Sequence, residues 1–233
     1  MSDIPYRTAL IVGAGPGVSA SVARRLAHAG LKVGLAARNT DKLADLARET
    51  GAETFAVDAA DPDGVRRLFE DADARLGEPD LVLYNASARV RGRIAELDPL
   101  QVKQALEVTA FGGFLVVQQA ARRMLPHGRG AILLTGATAS VKGFPLSSVF
   151  AMGKFALRGL AQSATRELGP QGIHVAHFVI DGGVRSAVRP DPADRPDSLL
   201  DPDAIAQSYL DVLRQPRSAW SWELELRPWV ETF

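Results

Sequence analysis

Short, almost unbroken apolar runs alternate along the chain with longer segments whose apolar residues recur every three or four positions. The runs TALIVG (8–13), KVGLAA (32–37), ETFAVD (53–58), DLVLYN (80–85), GAILLTG (130–136), GIHVAHFVID (172–181) and WELELR (222–227) predict strands. Between them the spacing predicts helices over 18–29, 40–50, 61–76, 98–125, 147–168 and 202–213. Thr40, Asp61 and Asp98 stand where an N-cap belongs, and Pro99 takes the first helical position of its segment. Strand and helix in regular alternation predict a parallel sheet covered by helices on both faces. Strands that are apolar throughout agree, because both of their faces are then buried. No repeat or linker divides the 233 residues, so one α/β domain is expected over 1–233. The single shift in composition is SAVRPDPADRPDSLLDPD (186–203), rich in Pro and Asp. A long irregular stretch inside a compact domain is expected to serve as a flap over a ligand.

Composition narrows the function. Lys plus Arg and Asp plus Glu balance at 27 each, so the basic excess that nucleic acid or an anionic membrane surface attracts is missing. With no cysteine, a disulfide framework, a thiolate nucleophile and a thiolate-held metal are excluded. The opening MSDIPYRTALIVGAG lacks the basic and long apolar regions of a secretory leader, and no apolar run approaches the roughly 18 residues of a membrane span. A cytoplasmic protein without membrane or nucleic-acid partners is expected. The histidines at 28, 127, 174 and 177 have no ligand spacing, and no metal site is expected.

The first strand runs directly into Gly13-Ala14-Gly15-Pro16-Gly17-Val18-Ser19 and then a helix. Glycine allows positive φ and close approach of backbone to ligand, and a helix start offers unpaired N–H groups that suit a pyrophosphate. The strand–turn–helix–strand context within about thirty residues makes this turn a candidate dinucleotide site over Gly13, Gly15, Gly17 and Val18. The second strand ends Ala37-Arg38, where an NAD site usually carries an acid for the ribose 2′-hydroxyl. A guanidinium there suits a 2′-phosphate, so NADP(H) is the preferred cofactor and NAD(H) a possible one. Asp58, ending the third strand, can accept a hydrogen bond from an adenine amino group.

Taken together, these features resemble the short-chain dehydrogenase/reductase family over nearly the whole chain. Further matches are Asn85-Ala86-Ser87 after the fourth strand, Gly112 on the long helix, the helix carrying Lys154, and Ile180-Asp181-Gly182-Gly183-Val184 after the sixth strand. The resemblance implies a Rossmann-like, doubly wound parallel sheet of about seven strands, and a homodimer or homotetramer. It also implies hydride transfer between NAD(P)H and a small carbonyl or alcohol. It adds Asn85, Ala86, Gly182, Val184 and Lys154 to the expected cofactor contacts.

The chain departs from the family pattern at several points. Ser19 replaces a third glycine, and Asp181-Gly182 replaces a Pro-Gly. The family's tyrosine, four residues before its lysine, falls on Phe150; its serine falls on Ala137 and its asparagine on Thr109. Of that tetrad Lys154 remains, four residues after Phe150 and so on the same helix face. A phenylalanine has no proton to give, and general acid catalysis typically contributes about 10²–10⁴-fold. Lys154, Thr138 and Thr109 are therefore the candidate catalytic residues, with Thr138 the best placed of the hydroxyls at 135, 138, 140, 147 and 148. Tyr84 is expected to pack rather than react. Arg89-Val90-Arg91-Gly92-Arg93 lies at the ligand-binding edge of such a sheet and could meet a carboxylate or phosphate, or simply be solvated. The tail holds all three tryptophans and could close a pocket or an interface. An oxidoreductase with atypical acid catalysis leads. A nucleotide-binding protein without hydride transfer, and a non-redox cyclase or isomerase, are the alternatives.

Overall fold

The computed structural model describes residues 4–232. Seven strands form one sheet in the order β3-β2-β1-β4-β5-β6-β7, every neighbouring pair parallel. They are β1 (Thr8–Val12), β2 (Lys32–Ala37), β3 (Glu53–Ala56), β4 (Leu81–Tyr84), β5 (Gly130–Thr135), β6 (Ile173–Ile180) and β7 (Glu223–Leu226). The helices are α1 (Val18–His28), α2 (Ala44–Thr50), α3 (Pro62–Leu76), α4 (Pro99–Leu106), α5 (Gly112–Met124), α6 (Ser148–Leu168) and α7 (Pro202–Leu213).

Alternation along each strand divides the core in two. In β1, Ala9 and Ile11 pack with α1, α2 and α7, while Leu10 and Val12 pack with α3, α5 and α6. All five β1 residues are buried, as expected of a strand between two helix layers. The expected doubly wound α/β domain is thus the observed one. β1 and β4 are the pair at which the strand order reverses, and open α/β sheets bind ligands beyond the C-terminal ends of such a pair.

Local chemistry sets most helix boundaries. Asp61 and Asp98 cap α3 and α4, each side chain accepting from the backbone N–H two residues on. Thr40 does not cap: its side chain makes no cap bond, and Asn39 Oδ1 accepts from Asp41 N at 3.0 Å instead. The 40–50 segment accordingly opens with a 3₁₀ turn, Asp41–Leu43, before α2. The expected helix 98–125 is continuous but not uniform, since Glu107–Phe111 forms a π-helical turn between α4 and α5. The Tyr84 hydroxyl donates to the Val108 carbonyl within that turn, a tertiary bond that the helical period alone does not encode.

The 186–203 segment is irregular up to the start of α7, yet it is tied down. Val184 bridges Leu200, Ser186 and Arg189 form an antiparallel bridge, and Arg185 pairs with Asp191 and Asp201. Among the described residues no helix is long and apolar enough to cross a membrane.

Candidate functional site

A cleft of about 370 Å³ opens at the C-terminal ends of β1 and β4. Gly13, Gly15, Arg38, Asp58, Asn85 and Ala86, all expected cofactor contacts, line it together. Gly13 has φ +86°, and a Cβ there would lie 2.2 Å from the Ala86 backbone nitrogen. Any side chain at 13 would therefore be strained and would also part the β1 turn from the β4 loop. A Cβ on Gly15 or Gly17 would meet nothing within 4 Å, so these two glycines leave open space for a ligand. Gly17 is the N-cap of α1 and no side chain caps that helix, so its first N–H groups are offered to whatever fills the turn.

Ser19, in place of a third glycine, is buried and works as a clip. Its hydroxyl donates to the Gly13 carbonyl at 3.1 Å and accepts from Asn85 Nδ2 at 2.7 Å. Asn85 Nδ2 also reaches the Gly13 carbonyl, at 3.2 Å. Asn85 thus holds the turn's shape from β4, while Val18 turns partly into the core beside α1.

At the far end of the cleft the exposed Arg38 makes no hydrogen bond or ion pair among the described residues. Lys42, which the sequence reading did not single out, lines the cleft beside it. The cleft then holds two cations against the single carboxylate of Asp58, whose Oδ1 accepts from Ala60 N at 3.0 Å.

The second group of residues gathers where β5, the π-turn and α6 meet. Lys154 is only 3 % exposed, and its Nζ donates to the Thr135 carbonyl at 2.6 Å. It shares its face with Phe150, as the four-residue spacing predicts, at 5.8 Å from the ring centroid. Burial, reinforced by the charge of Arg89, pushes the ammonium down to about 7. Arg89 itself lies over the Phe150 ring at 4.0 Å, while Gly92 N donates to the Leu146 carbonyl and pins its loop to the start of α6.

Thr109 is buried in the π-turn, and its Oγ1 accepts from Ala88 N at 3.0 Å. A Cβ on Gly153 would come 2.9 Å from the Thr109 Cβ, so a glycine lets α6 and the π-turn touch. Thr138 is half-buried in a 3₁₀ turn after β5 and its carbonyl accepts from Val141 and Lys142. Ser140 is buried, accepting from Ala137 N. Tyr84 is fully buried and burial raises its phenol far above the usual range, so it packs as expected.

Beneath α6, His177 Nδ1 meets Glu223 at 3.0 Å, and Glu223 is gripped by Arg158 at 2.6 and 2.7 Å. Burial outweighs that carboxylate and holds His177 down at about 4. Gly182 has φ +145°, and the neighbouring Asp181 is buried and paired with Arg227 at 3.1 Å. Two of the tryptophans pack inward, Trp220 on His174 and Trp222 near Arg158, while Trp229 is exposed. No group of three His, Asp or Glu side chains suited to a metal occurs among the described residues.

Known proteins resemble the chain along its length. It is 27 % identical to an uncharacterized oxidoreductase of Staphylococcus aureus strain N315, with 98 % of this chain and all of the relative covered. The crystal structure of a short-chain dehydrogenase from Rhodopseudomonas palustris is 36 % identical, with a TM-score of 0.82 and 96 % and 99 % of the two chains covered. An alcohol dehydrogenase from the archaeon Thermococcus sibiricus, complexed with 5-hydroxy-NADP, is 25 % identical, with a TM-score of 0.83 and 97 % and 98 % covered. The pattern that describes short chain dehydrogenases matches residues 7–193, and with the parallel sheet, the glycine turn and the cleft above β1 and β4 the chain belongs to that family.

Proposed function

We propose that this protein is an NADP(H)-dependent oxidoreductase of a small carbonyl or alcohol whose proton comes from a group other than a tyrosine. The observation that carries the reading is Lys154, buried, bonded to Thr135 and held at about 7, on one face with Phe150. The glycine turn and the uncapped start of α1 would hold a pyrophosphate, and Arg38 with Lys42 a 2′-phosphate. Asp58 would take the adenine amino group. Asn85 and Ala86 would wall the middle of the cofactor, Gly182 and Val184 its nicotinamide end, and Lys154 its ribose. The 5-hydroxy-NADP in the Thermococcus sibiricus structure supports NADP(H) over NAD(H), as do the two cations at the end of the cleft.

When bound, the nicotinamide supplies or accepts the hydride. The chain's part is to place the substrate oxygen and move one proton. An amine with a pKa near 7 is close to half-protonated at neutral pH, the condition under which a general acid both holds and releases its proton well. Lys154 donates to that oxygen directly or through the Thr138 hydroxyl. Thr109, by holding Ala88, fixes the loop that carries Arg89. The 186–203 segment closes the site as a flap. The outer faces of α5 and α6 expose Phe114, Met152 and Phe155 beside Phe111 of the π-turn, an apolar surface that suits a homodimer or homotetramer.

A second reading, a nucleotide-binding protein without hydride transfer, is favoured by Phe150, Ala137 and Thr109. Titration of the purified protein with NADPH and NADH, read by nicotinamide fluorescence, beside Lys154→Ala, tests the cofactor site. Micromolar NADPH, weaker NADH and loss in the variant are expected; turnover of carbonyl substrates then separates the two readings. Binding of neither nucleotide overturns both.

A further inference from the structure

Lys154 and Arg158 stand one turn apart on α6 and so share a face. Both reach across to the sheet. Lys154 Nζ donates to the Thr135 carbonyl at the end of β5, and Arg158 donates to Glu223 at the start of β7, at 2.6 and 2.7 Å. His177 of β6 stands between these two contacts, on the strand face that Val175, two residues earlier, packs with Leu157 and Ala161 of α6. Its Nδ1 meets Glu223 at 3.0 Å. A carboxylate only accepts, so Nδ1 carries the ring proton and donates it, and Nε2 is bare. That bare nitrogen is buried and has no hydrogen-bond partner among the described residues. It rests against Gly136, where a Cβ would lie 2.3 Å from Nε2 and 2.5 Å from Cε1 of the ring. Gly136 does not have positive φ, so what glycine supplies there is room for the imidazole. The contacts close a circuit. Lys154 holds Thr135, the next residue Gly136 meets His177, His177 holds Glu223, and Glu223 holds Arg158 of the same helix.

A fully enclosed imidazole with one nitrogen unbonded is a costly way to fill space, and a leucine or phenylalanine would bear no such cost. What the histidine adds is its bond to Glu223. Burial pushes that carboxyl up, yet the hydrogen bonds from Arg158 and His177 bring it below its ordinary range, so it stays an anion and fixes the ring. Lys154 makes no ion pair among the described residues, and its place depends on the Thr135 carbonyl. We infer that His177 and Glu223 are positioning residues for Lys154: the ring, oriented by Glu223, seats the Thr135–Gly136 peptide, whose carbonyl holds the ammonium. Misplacing a reacting group by about 1 Å can cost on the order of 10²-fold in rate. That consequence rests on the oxidoreductase reading, in which Lys154 is the proton donor; the seating itself does not.

The test is hydrogen exchange of the Lys154 ammonium, followed by NMR at pH 6 with nitrogen-15 lysine. The chain has five lysines, and Lys154→Met identifies the signal. His177→Phe, which fills the space without the bond to Glu223, should speed exchange about tenfold or more, the weight of one hydrogen bond to a charged group. Glu223→Gln still accepts from Nδ1 but has lost its charge, and should give a smaller rise. Glu225→Gln, the next carboxylate on that face of β7, should give none. Gly136→Ala, which displaces the ring, should match His177→Phe; if it fails to fold, the first two variants carry the test. Backbone amide exchange in β5 and β6 should stay within about twofold throughout. Unchanged Lys154 exchange in His177→Phe overturns the proposal. Slower exchange also overturns it, because the pair would then conduct protons rather than seat the peptide. Acceleration of Lys154 and the strand amides together overturns it as well, leaving His177 an ordinary core residue. Turnover of a carbonyl substrate keeps the two readings apart. On the oxidoreductase reading kcat falls in His177→Phe while KM and NADPH affinity hold. Faster exchange with kcat unchanged would leave the seating standing and sink Lys154 as the proton donor.

Discussion

Replacing Lys154 by methionine should remove a pH dependence of stability that the wild type carries. The lysine is wholly enclosed, and burial together with Arg89 lowers its pKa from 10.5 to about 7. A lowered pKa means that the folded chain disfavours the proton while the unfolded chain keeps it up to the ordinary value. Below pH 7 both states are protonated and the fold bears the whole cost of the buried charge. As pH rises through 7 the folded state sheds the proton, the unfolded state does not, and stability grows until about 10.5. Integrating between pH 6 and 9 gives a gain of about 2–3 kcal/mol for the wild type relative to Lys154→Met. Other titrations cancel between the two proteins; His177, held at about 4, stays neutral in the folded chain across this window. Urea unfolding followed by tryptophan fluorescence at pH 6, 7, 8 and 9 measures the difference. Parallel stability curves would refute the reasoning, because Lys154 would then titrate as an ordinary surface amine and could not be a neutral-pH acid.

Arg38→Asp should weaken NADPH by about tenfold or more and leave NADH almost unchanged, by fluorescence titration, since only the 2′-phosphate loses a partner. Gly13→Ala should cost about 2 kcal/mol or more in chemical unfolding, from positive φ and from the 2.2 Å approach to Ala86; a cost under half of that would mean the turn relaxes freely. Thr109→Val should cost about 1–3 kcal/mol by leaving the Ala88 N–H without its acceptor. Phe150→Tyr combined with Ala137→Ser should raise kcat on a carbonyl substrate by about 10²-fold if proton delivery limits the rate; an unchanged rate would place the slow step elsewhere.

What the sequence made legible was local. Strand and helix periods, the aspartate caps and the Gly13–Gly17 turn each depend on a few neighbouring residues, and each stands as expected. Asn39 and Thr40 are both acceptable caps, and only the closing 3₁₀ turn decides for Asn39. The π-turn at Glu107–Phe111 depends on Tyr84, some twenty-four residues away, and no helical period carries that information. Lys154 was legible as a cation on an apolar face, but its depth and its Thr135 partner were not. Arg89 could be picked out only as one of three, because what distinguishes it is an aromatic ring on α6, far along the chain.

The Thr135 residue joins the two sides of the sheet. Its carbonyl receives Lys154 from α6, and its hydroxyl meets the Tyr209 hydroxyl of α7 at 2.9 Å. Tyr209 in turn stacks on Phe178 at 3.7 Å, fully enclosed on the face that looks away from Lys154. The phenol is therefore a built-in reporter. A tyrosine-selective isotopic label has only three positions to resolve in this chain. The resonance of Tyr209 would register whether Lys154 keeps or releases its carbonyl partner, observed from the opposite side of the sheet.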